Sequence, residues 1–141
     1  MSILYPKDNR PTRIAMFRGF KHRCPNCGKG PLFENYLKVV DTCSYCAEDL
    51  SHQRADDAPP YFTIFIVGHI VLPLALFSEK MWQLSTTSHL MLWLPTVLVL
   101  SLLLLPCVKG AVVGLQWSLH MHGFGGDVNE PPLANKKVRE T

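Results

Sequence analysis

Two long uncharged runs limit the folds open to this chain more than any other part of its sequence. Residues 61–78 (YFTIFIVGHIVLPLALFS) and residues 90–108 (LMLWLPTVLVLSLLLLPCV) contain no Asp, Glu, Lys or Arg. A helix needs about twenty apolar residues to cross the roughly 30 Å hydrocarbon core of a bilayer. A chain of 141 residues is too short to bury two helices that are apolar on every side. The sequence therefore predicts a hairpin of two transmembrane helices.

The distribution of positive charge predicts the orientation of this hairpin. Nine of the fourteen Lys and Arg residues precede the first run, Lys80 lies between the runs, and four follow the second. Because Lys and Arg beside transmembrane helices favour the cytoplasmic side, both termini are expected in the cytoplasm. Trp82 and Trp93 near the connecting loop, with Tyr61 and Trp117 toward the other side, suit interfacial aromatic belts. The net charge of +3 is small and dispersed, which argues against nucleic acid as a partner.

Four cysteines arranged as two Cys-x-x-Cys pairs form the second informative pattern. Cys24 and Cys27 in RCPNCGKG are followed by Cys43 and Cys46 in DTCSYCAE. In the reducing cytosol that the charge pattern predicts, such pairs favour metal ligation over disulfides. The spacing is typical of a zinc ribbon, a small β structure in which four thiolates surround one Zn²⁺. The predicted fold class is therefore a metal-stabilised β zinc ribbon joined to an α-helical transmembrane hairpin.

We predict one structural zinc ion at this site and no enzyme. A segment of about thirty residues lacks the core to fold alone. Zinc binding supplies roughly 10–16 kcal/mol of apparent free energy in small fingers. Four thiolates leave no coordination position open for water, which excludes the usual catalytic arrangement.

Gly28 and Gly30 are expected to supply the positive backbone angles of the first knuckle turn. A rubredoxin-like iron or iron–sulfur site and a pair of redox dithiols are the alternatives.

Gly68 and His69 are the polar interruption in the middle of the first run. Gly68 would permit close helix approach, and neutral His69 would hydrogen-bond across a helix interface. The alternative is ligand or proton chemistry shared with a partner, because ionisable residues inside membranes are often functional. A haem held by two histidines of one chain is disfavoured, since the middle of the second run offers no second ligand.

Prolines within both runs predict unpaired backbone acceptors inside the membrane. Pro73 lacks the N–H that would bond the carbonyl of His69, and Pro106 frees the carbonyl of Leu102 in the same way. Pro95 has the same effect earlier in the second run. Each freed carbonyl needs a partner in the hydrocarbon. Such helices are therefore expected to pack against other helices.

Asp56 and Asp57 lie between the cysteine pairs and the first apolar run. They are expected to cap the first helix and favour its positive N-terminus.

The predicted segments of the chain follow from these patterns. The bounds are 1–20 for a basic N-terminal segment, 21–54 for the zinc ribbon, 55–60 for a juxtamembrane linker, 61–78 for transmembrane helix 1, 79–89 for an external loop, 90–108 for transmembrane helix 2, 109–122 for a cytoplasmic or interfacial helix extension, and 123–141 for a flexible tail.

Several blocks of sequence, in this order, resemble a known family. The blocks are RGF-x3-CPNCGKGPLFENYLKV, CSYCAEDLSHQRADDAPPYF, IVGHIVLPLAL, HLMLWLP and KGAVVGLQW. They resemble, over roughly residues 17–122, a bacterial family of small uncharacterised membrane proteins with an N-terminal zinc ribbon. The resemblance implies that the four cysteines are the metal ligands. It assigns no role to the other matching positions, which are Asp56-Asp57, Gly68-His69, Lys109-Gly110 and Gln116. Ala47 departs from it, because a knuckle often has glycine there.

Members of that family are often encoded near genes for cytochrome c oxidase. The resemblance therefore implies an integral membrane complex as partner, with cytochrome c oxidase as the first candidate. We expect a non-enzymatic protein of the bacterial inner membrane that acts as an accessory subunit or assembly factor. The alternative is metal sensing or delivery, in which His69, His120 and His122 would relay zinc or copper. Nucleic-acid binding through residues 10–23 is a third and weaker hypothesis, because Phe17 and Phe20 fit an interfacial helix equally well.

Overall fold

The computed structural model describes residues 9–83 and 85–124. It contains three α-helices: α1, Thr12–Phe20; α2, Ala58–Trp82; and α3, Thr86–Ser118. A short 3-10 turn, Met121–Gly123, follows α3. Residues 1–8 of the predicted basic segment and residues 125–141 of the predicted flexible tail lie outside the described residues.

The helices α2 and α3 are each long and apolar enough to cross a membrane. They pack against each other, and both expose many large apolar side chains. Both extend beyond the predicted runs, so the connection spans only residues 83–85 where the sequence predicted a loop over 79–89. Gln83 ends α2 with a left-handed backbone (φ 43°), and the Ser85 side chain accepts a hydrogen bond from the N–H of Ser88 to begin α3.

The segment between α1 and α2 contains the cysteines, and we call residues 21–54 the cysteine module. No strand forms among the described residues of this module; three isolated antiparallel bridges form instead, Arg23–Pro31, Phe33–Val39 and Thr42–Asp49. The predicted β ribbon is therefore not confirmed. The segment LKVVDT, which alternated like a strand, makes two separate bridges, at Val39 and at Thr42. These bridges pair it with different parts of the module, so no continuous ladder forms.

The helix α1 packs against the second half of α3 through close backbone contact. A Cβ added at Gly19 would overlap the carbonyl of Gly110, and one added at Gly114 would overlap the carbonyl of Ala15. Small residues four positions apart on both helices permit this approach. Because Gly19 meets Gly110 while Ala15 meets Gly114, the two helices run antiparallel. The sequence analysis considered an interfacial helix at Phe17 and Phe20, but it did not predict that this helix packs on α3.

The buried core lies at the end of α3. Its members come from α1, the cysteine module, the linker, the last turns of α3 and the residue after the 3-10 turn: Ala15, Cys24, Cys27, Leu32, Val39, Cys43, Leu50, Ala55, Val113, Trp117 and Phe124. The extension predicted over residues 109–122 is thus continuous with α3 as far as Ser118. Its buried residues, among them Val113 and Trp117, pack in this core.

Candidate metal centre

Two matched turns bring the four cysteines together. The N–H of Gly28 bonds the carbonyl of Cys24 at 2.8 Å, and the N–H of Ala47 bonds the carbonyl of Cys43 at 2.9 Å. Gly28 has φ 69° and Ala47 has φ 54°. Ala47 therefore adopts the left-handed backbone that glycine adopts in the first knuckle, and the second turn forms despite its Cβ.

The thiol sulfurs are spaced as a tetrahedral metal site requires. Cys24 and Cys46 are 3.7 Å apart at Sγ, Cys27 and Cys43 are 3.8 Å apart, and all four sulfurs lie within 4.8 Å of one another. Zinc–sulfur bonds of about 2.3 Å imply sulfur–sulfur edges of about 3.8 Å in a regular tetrahedron. None of the cysteines forms a disulfide. The cluster can therefore hold one metal ion.

Gly30 and two backbone donors shape the space around the sulfurs. Cys27 Sγ accepts contacts from the N–H groups of Lys29 at 3.4 Å and Gly30 at 3.5 Å. A Cβ on Gly30 would overlap Cys43 Sγ. Gly30 was predicted to supply a positive angle, but the positive-φ glycines among the described residues are Gly28 and Gly123. Its requirement for glycine comes from space beside the sulfur.

The local environment sets different proton affinities within the cluster. Burial raises the pKa of Cys24 far above its ordinary value and raises the pKa of Cys46 to about 11. Burial also raises the pKa of Cys27, but hydrogen bonds from Gly30 and Lys29 outweigh it and lower the pKa to about 7. Because metal ligands must be thiolates, metal binding at this cluster would release protons.

Glu48 connects the cluster to the end of α3. Its Oε1 accepts a 2.7 Å bond from Trp117 Nε1 and lies 3.6 Å from Arg10 Nη2. Its Oε2 accepts a 2.8 Å bond from Asn26 Nδ2, which belongs to the first knuckle. One carboxylate thus joins both knuckles, α3 and the residues before α1.

Arg10 closes this network from the N-terminal side. Its Nη1 donates to the carbonyls of Trp117 at 2.8 Å and Phe124 at 3.2 Å, and its guanidinium lies 4.3 Å from the Trp117 ring centroid. Burial lowers the pKa of Arg10, and the charge of Glu48 opposes that effect. The sequence analysis placed Trp117 in an interfacial belt, which is wrong, because its side chain is fully buried in the core.

The linker before α2 is fastened to α3 by side chains of α3. Gln116 Oε1 accepts from the N–H of Arg54 and its Nε2 donates to the carbonyl of the same residue, both at 3.0 Å. Lys109 Nζ lies 3.4 Å from Asp56 Oδ1. Asp57 occupies the N-cap position of α2 but makes no side-chain capping bond. The predicted cap by Asp56 and Asp57 is thus replaced by an ion pair between Asp56 and α3.

The cysteine module also reaches the apolar part of α3. The Tyr36 hydroxyl donates to the carbonyl of Leu102, and His22 Nε2 lies 3.5 Å from Cys107 Sγ. The sequence predicted that Pro106 leaves the Leu102 carbonyl in need of a partner. The partner is a tyrosine of the cysteine module and not a second membrane helix.

Gly68 and His69 lie on an outward face of α2. A Cβ added at Gly68 would meet nothing within 4 Å, so the predicted close helix approach is not made within this chain. His69 is exposed, with Nδ1 2.8 Å from the carbonyl of Phe65 in its own helix. Over residues 9–83 and 85–124, the four cysteines are the one group of three or more His, Cys, Asp or Glu side chains close enough to share a metal ion.

Sequence reasoning found the cysteines but missed the residues that anchor them. Arg10, Asn26 and Glu48 carried no recognisable spacing. Arg18, counted only as positive charge, donates from Nη1 to the carbonyls of Pro25 (3.1 Å) and Asn26, and so attaches α1 to the first knuckle.

Comparison with known proteins identifies one family. A family model described as "Protein of unknown function (DUF983)" matches residues 33–117, more than half of the chain. The match includes Cys43, Cys46 and nearly all of both long helices, and it begins after Cys24 and Cys27. No curated protein and no solved structure matches the chain.

Proposed function

We propose that four cysteines hold one structural Zn²⁺ in this chain, which belongs to the DUF983 family of proteins of unknown function. We further propose that the protein is a non-enzymatic accessory subunit or assembly factor of a larger membrane complex. The main support for this proposal is that Glu48, beside the second knuckle, bonds both Asn26 of the first knuckle and Trp117 of α3. A metal ion there would stabilise a rigid platform at one end of a membrane hairpin.

The donor set favours zinc in a structural role. Four sulfurs at tetrahedral spacing fill every ligand position, which leaves no place for substrate or water. Cys24, Cys27 and Cys43 are buried and Cys46 is partly buried. When zinc is bound, it supplies folding free energy, while Asn26 and Glu48 orient the two knuckles against α3. Metal analysis of the purified protein distinguishes zinc from iron.

The outward position of His69 supports a partner inside the membrane. Ionisable residues in membrane helices usually face a protein interior or a water-filled cavity. His69 instead lies in an open apolar groove with Ile64, Gly68 and Leu72 on the surface of this chain. We infer that a helix of another protein covers the groove. The resemblance to proteins encoded near cytochrome c oxidase genes favours a haem–copper oxidase of the bacterial inner membrane, with both termini of this chain in the cytoplasm.

Affinity purification in mild detergent followed by mass spectrometry tests this proposal. We expect the native chain to recover a defined set of integral membrane proteins, and Gly68→Leu to lose them by filling the groove. Leu74→Phe is the matched control, because it adds bulk in a different groove beside Phe77 and Trp82. Consistent recovery of the native chain as a lone monomer or homodimer would contradict the proposal.

Metal delivery to a membrane client is the second candidate function. The partial exposure of Cys46 at the edge of the cluster favours it, because ligand exchange could begin there. The cluster brings none of the proposed relay ligands His69, His120 or His122 to its sulfurs. One tightly held zinc ion per chain would support the structural role, whereas exchangeable copper above one equivalent would support delivery.

A further inference from the structure

The cysteine module contacts α3 at the level where its apolar segment ends. The first charged residue of α3 is Lys109, and Gly19 of α1 packs on the next residue, Gly110. Toward the middle of α3, the Tyr36 hydroxyl bonds the carbonyl of Leu102. Seven helical residues separate Leu102 from Lys109, which is about 10 Å along the axis. One side of the module therefore extends past the polar end of the spanning segment.

Several exposed residues lie on this side, and we call them the membrane-proximal patch: Phe17, Phe20, Lys21, Arg23 and Tyr36. The aromatic side chains keep a large part of their surface uncovered, with residue exposures of 57% for Phe17, 44% for Phe20 and 52% for Tyr36. The patch continues the exposed apolar surface formed by Leu102 and Leu103 of α3. Aromatic rings at this level suit the interfacial zone of a bilayer, where one end is apolar and the other hydrated.

The cations of the patch have no acidic partner within the described chain. Lys21 Nζ lies 4.4 Å from the ring centroid of Phe17, and Arg23 is exposed. The ion pairs of the described residues involve other cations, such as Lys38 with Glu34 at 2.6 Å and Lys109 with Asp56 at 3.4 Å. Two positive side chains thus remain beside uncovered aromatic rings, which is the arrangement that an anionic headgroup layer attracts.

We propose that the membrane-proximal patch seats the cysteine module on the adjacent leaflet and binds anionic phospholipid there. The rings of Phe17, Phe20 and Tyr36 enter the headgroup layer, and Lys21 and Arg23 contact lipid phosphates. This inference requires that the hairpin spans a bilayer. It does not depend on the identity of the metal or of the partner complex.

Lipid selectivity tests the role of the two cations. The full-length protein is reconstituted in phosphatidylcholine vesicles, and its association with spin-labelled phosphatidylglycerol is compared with that of spin-labelled phosphatidylcholine. We expect a preference for phosphatidylglycerol that falls by roughly fivefold for each cation removed in Lys21→Gln and Arg23→Gln. High salt should reduce the preference in the native chain. Lys29→Gln is the matched control, because that exposed lysine contacts Tyr45 on the second knuckle and should leave selectivity unchanged.

Fluorescence quenching tests the depth of the patch independently of charge. In Phe20→Trp, the emission added to that of the native tryptophans should be quenched by phospholipids brominated near the headgroup end of the acyl chain. The emission added by Tyr45→Trp, at an exposed site of the second knuckle, should be quenched by aqueous iodide instead. Equal lipid quenching at both sites, or selectivity that Lys21→Gln and Arg23→Gln do not alter, would overturn the proposal. The proposal would also be overturned if the emission added by Phe20→Trp were shielded from aqueous iodide only when another protein co-purifies, since the patch would then be a protein interface.

Discussion

The two ends of α3 have different surroundings, although they belong to one continuous helix. Its first part exposes large apolar side chains such as Leu94, Leu98 and Leu103. Its last part, from Val108 to Ser118, is largely buried against α1 and the cysteine module. The first part of α3 therefore leaves its apolar surface open, whereas most of its last part is covered by α1 and the cysteine module. A perturbation of one end should leave the other largely intact, and the following predictions test that separation.

Loss of the metal should have the largest effect and should be confined to one end. Cys24→Ser removes one of four ligands, and roughly 10 kcal/mol of metal-dependent folding energy is at stake in sites of this kind. We expect the cysteine module to unfold and Trp117 to become solvent-accessible, while α2 and the first part of α3 remain helical. Zinc content, Trp emission and circular dichroism in the same micelles measure these outcomes. Cys107→Ser, outside the cluster, should change none of them, and complete loss of helicity in Cys24→Ser would show that the ends are not separable.

Removal of the Glu48 charge should have the next largest effect. Glu48→Gln leaves the guanidinium of Arg10 without its carboxylate in a buried site, which is expected to cost about 2–3 kcal/mol. Denaturant unfolding followed by Trp117 emission gives the free energy. Glu34→Gln is the control, because it breaks an exposed pair with Lys38 that contributes about 0.5 kcal/mol or less. Equal effects of the two substitutions would contradict a buried network at the metal end.

A methyl group at the crossing of α1 and α3 should destabilise that contact by about 1–3 kcal/mol. Gly110→Ala places a Cβ against the backbone of Gly19, and neither backbone can move without separating the helices. Gly68→Ala has open space around it and should be neutral or stabilising by up to about 1 kcal/mol, because alanine favours helix. Hydrogen exchange of α1 amides and thermal unfolding measure the difference. A neutral Gly110→Ala would show that α1 is not held against α3 in this way.

The smallest effect is expected at the boundary between the two ends. Tyr36→Phe removes the donor to the Leu102 carbonyl, at a cost of about 1 kcal/mol. Tyr45→Phe removes a hydroxyl bonded only to Lys29 at an exposed site and serves as the control. Hydrogen exchange around Pro106 should accelerate in Tyr36→Phe alone. The same exchange rates in both variants would place the boundary elsewhere on α3.

The features that could be predicted from sequence are those encoded within a short stretch of chain. Long apolar runs predicted two helices capable of spanning a membrane, and the spacing of Cys24, Cys27, Cys43 and Cys46 predicted one metal cluster. The predicted β structure is not confirmed, since the knuckle turns bring the sulfurs together without an extended ladder. The helices α2 and α3 extend into the predicted connecting loop, because capping by Ser85 was not weighed against hydropathy.

The anchoring network could not be predicted because its members are far apart in sequence. Arg10 and Trp117 are separated by 107 positions, and no periodicity relates them. In isolation, Arg10 is one of several positive residues and Trp117 suits a membrane interface. Only the antiparallel docking of α1 on α3 brings both to Glu48. Long-range contacts of this kind depend on the whole fold.

The contribution of Val113 and Trp117 to the core of the cysteine module has a consequence for biogenesis. Chains generally fold from the N-terminus during synthesis. Residues 9–57, however, lack part of their core until the ribosome has made the last turns of α3. A chain that stops before Val113 should bind metal weakly and expose Leu32 and Leu50. The cysteine module thus completes its core only after α3 has been made, so a fully folded cysteine module marks a chain in which α3 is already complete.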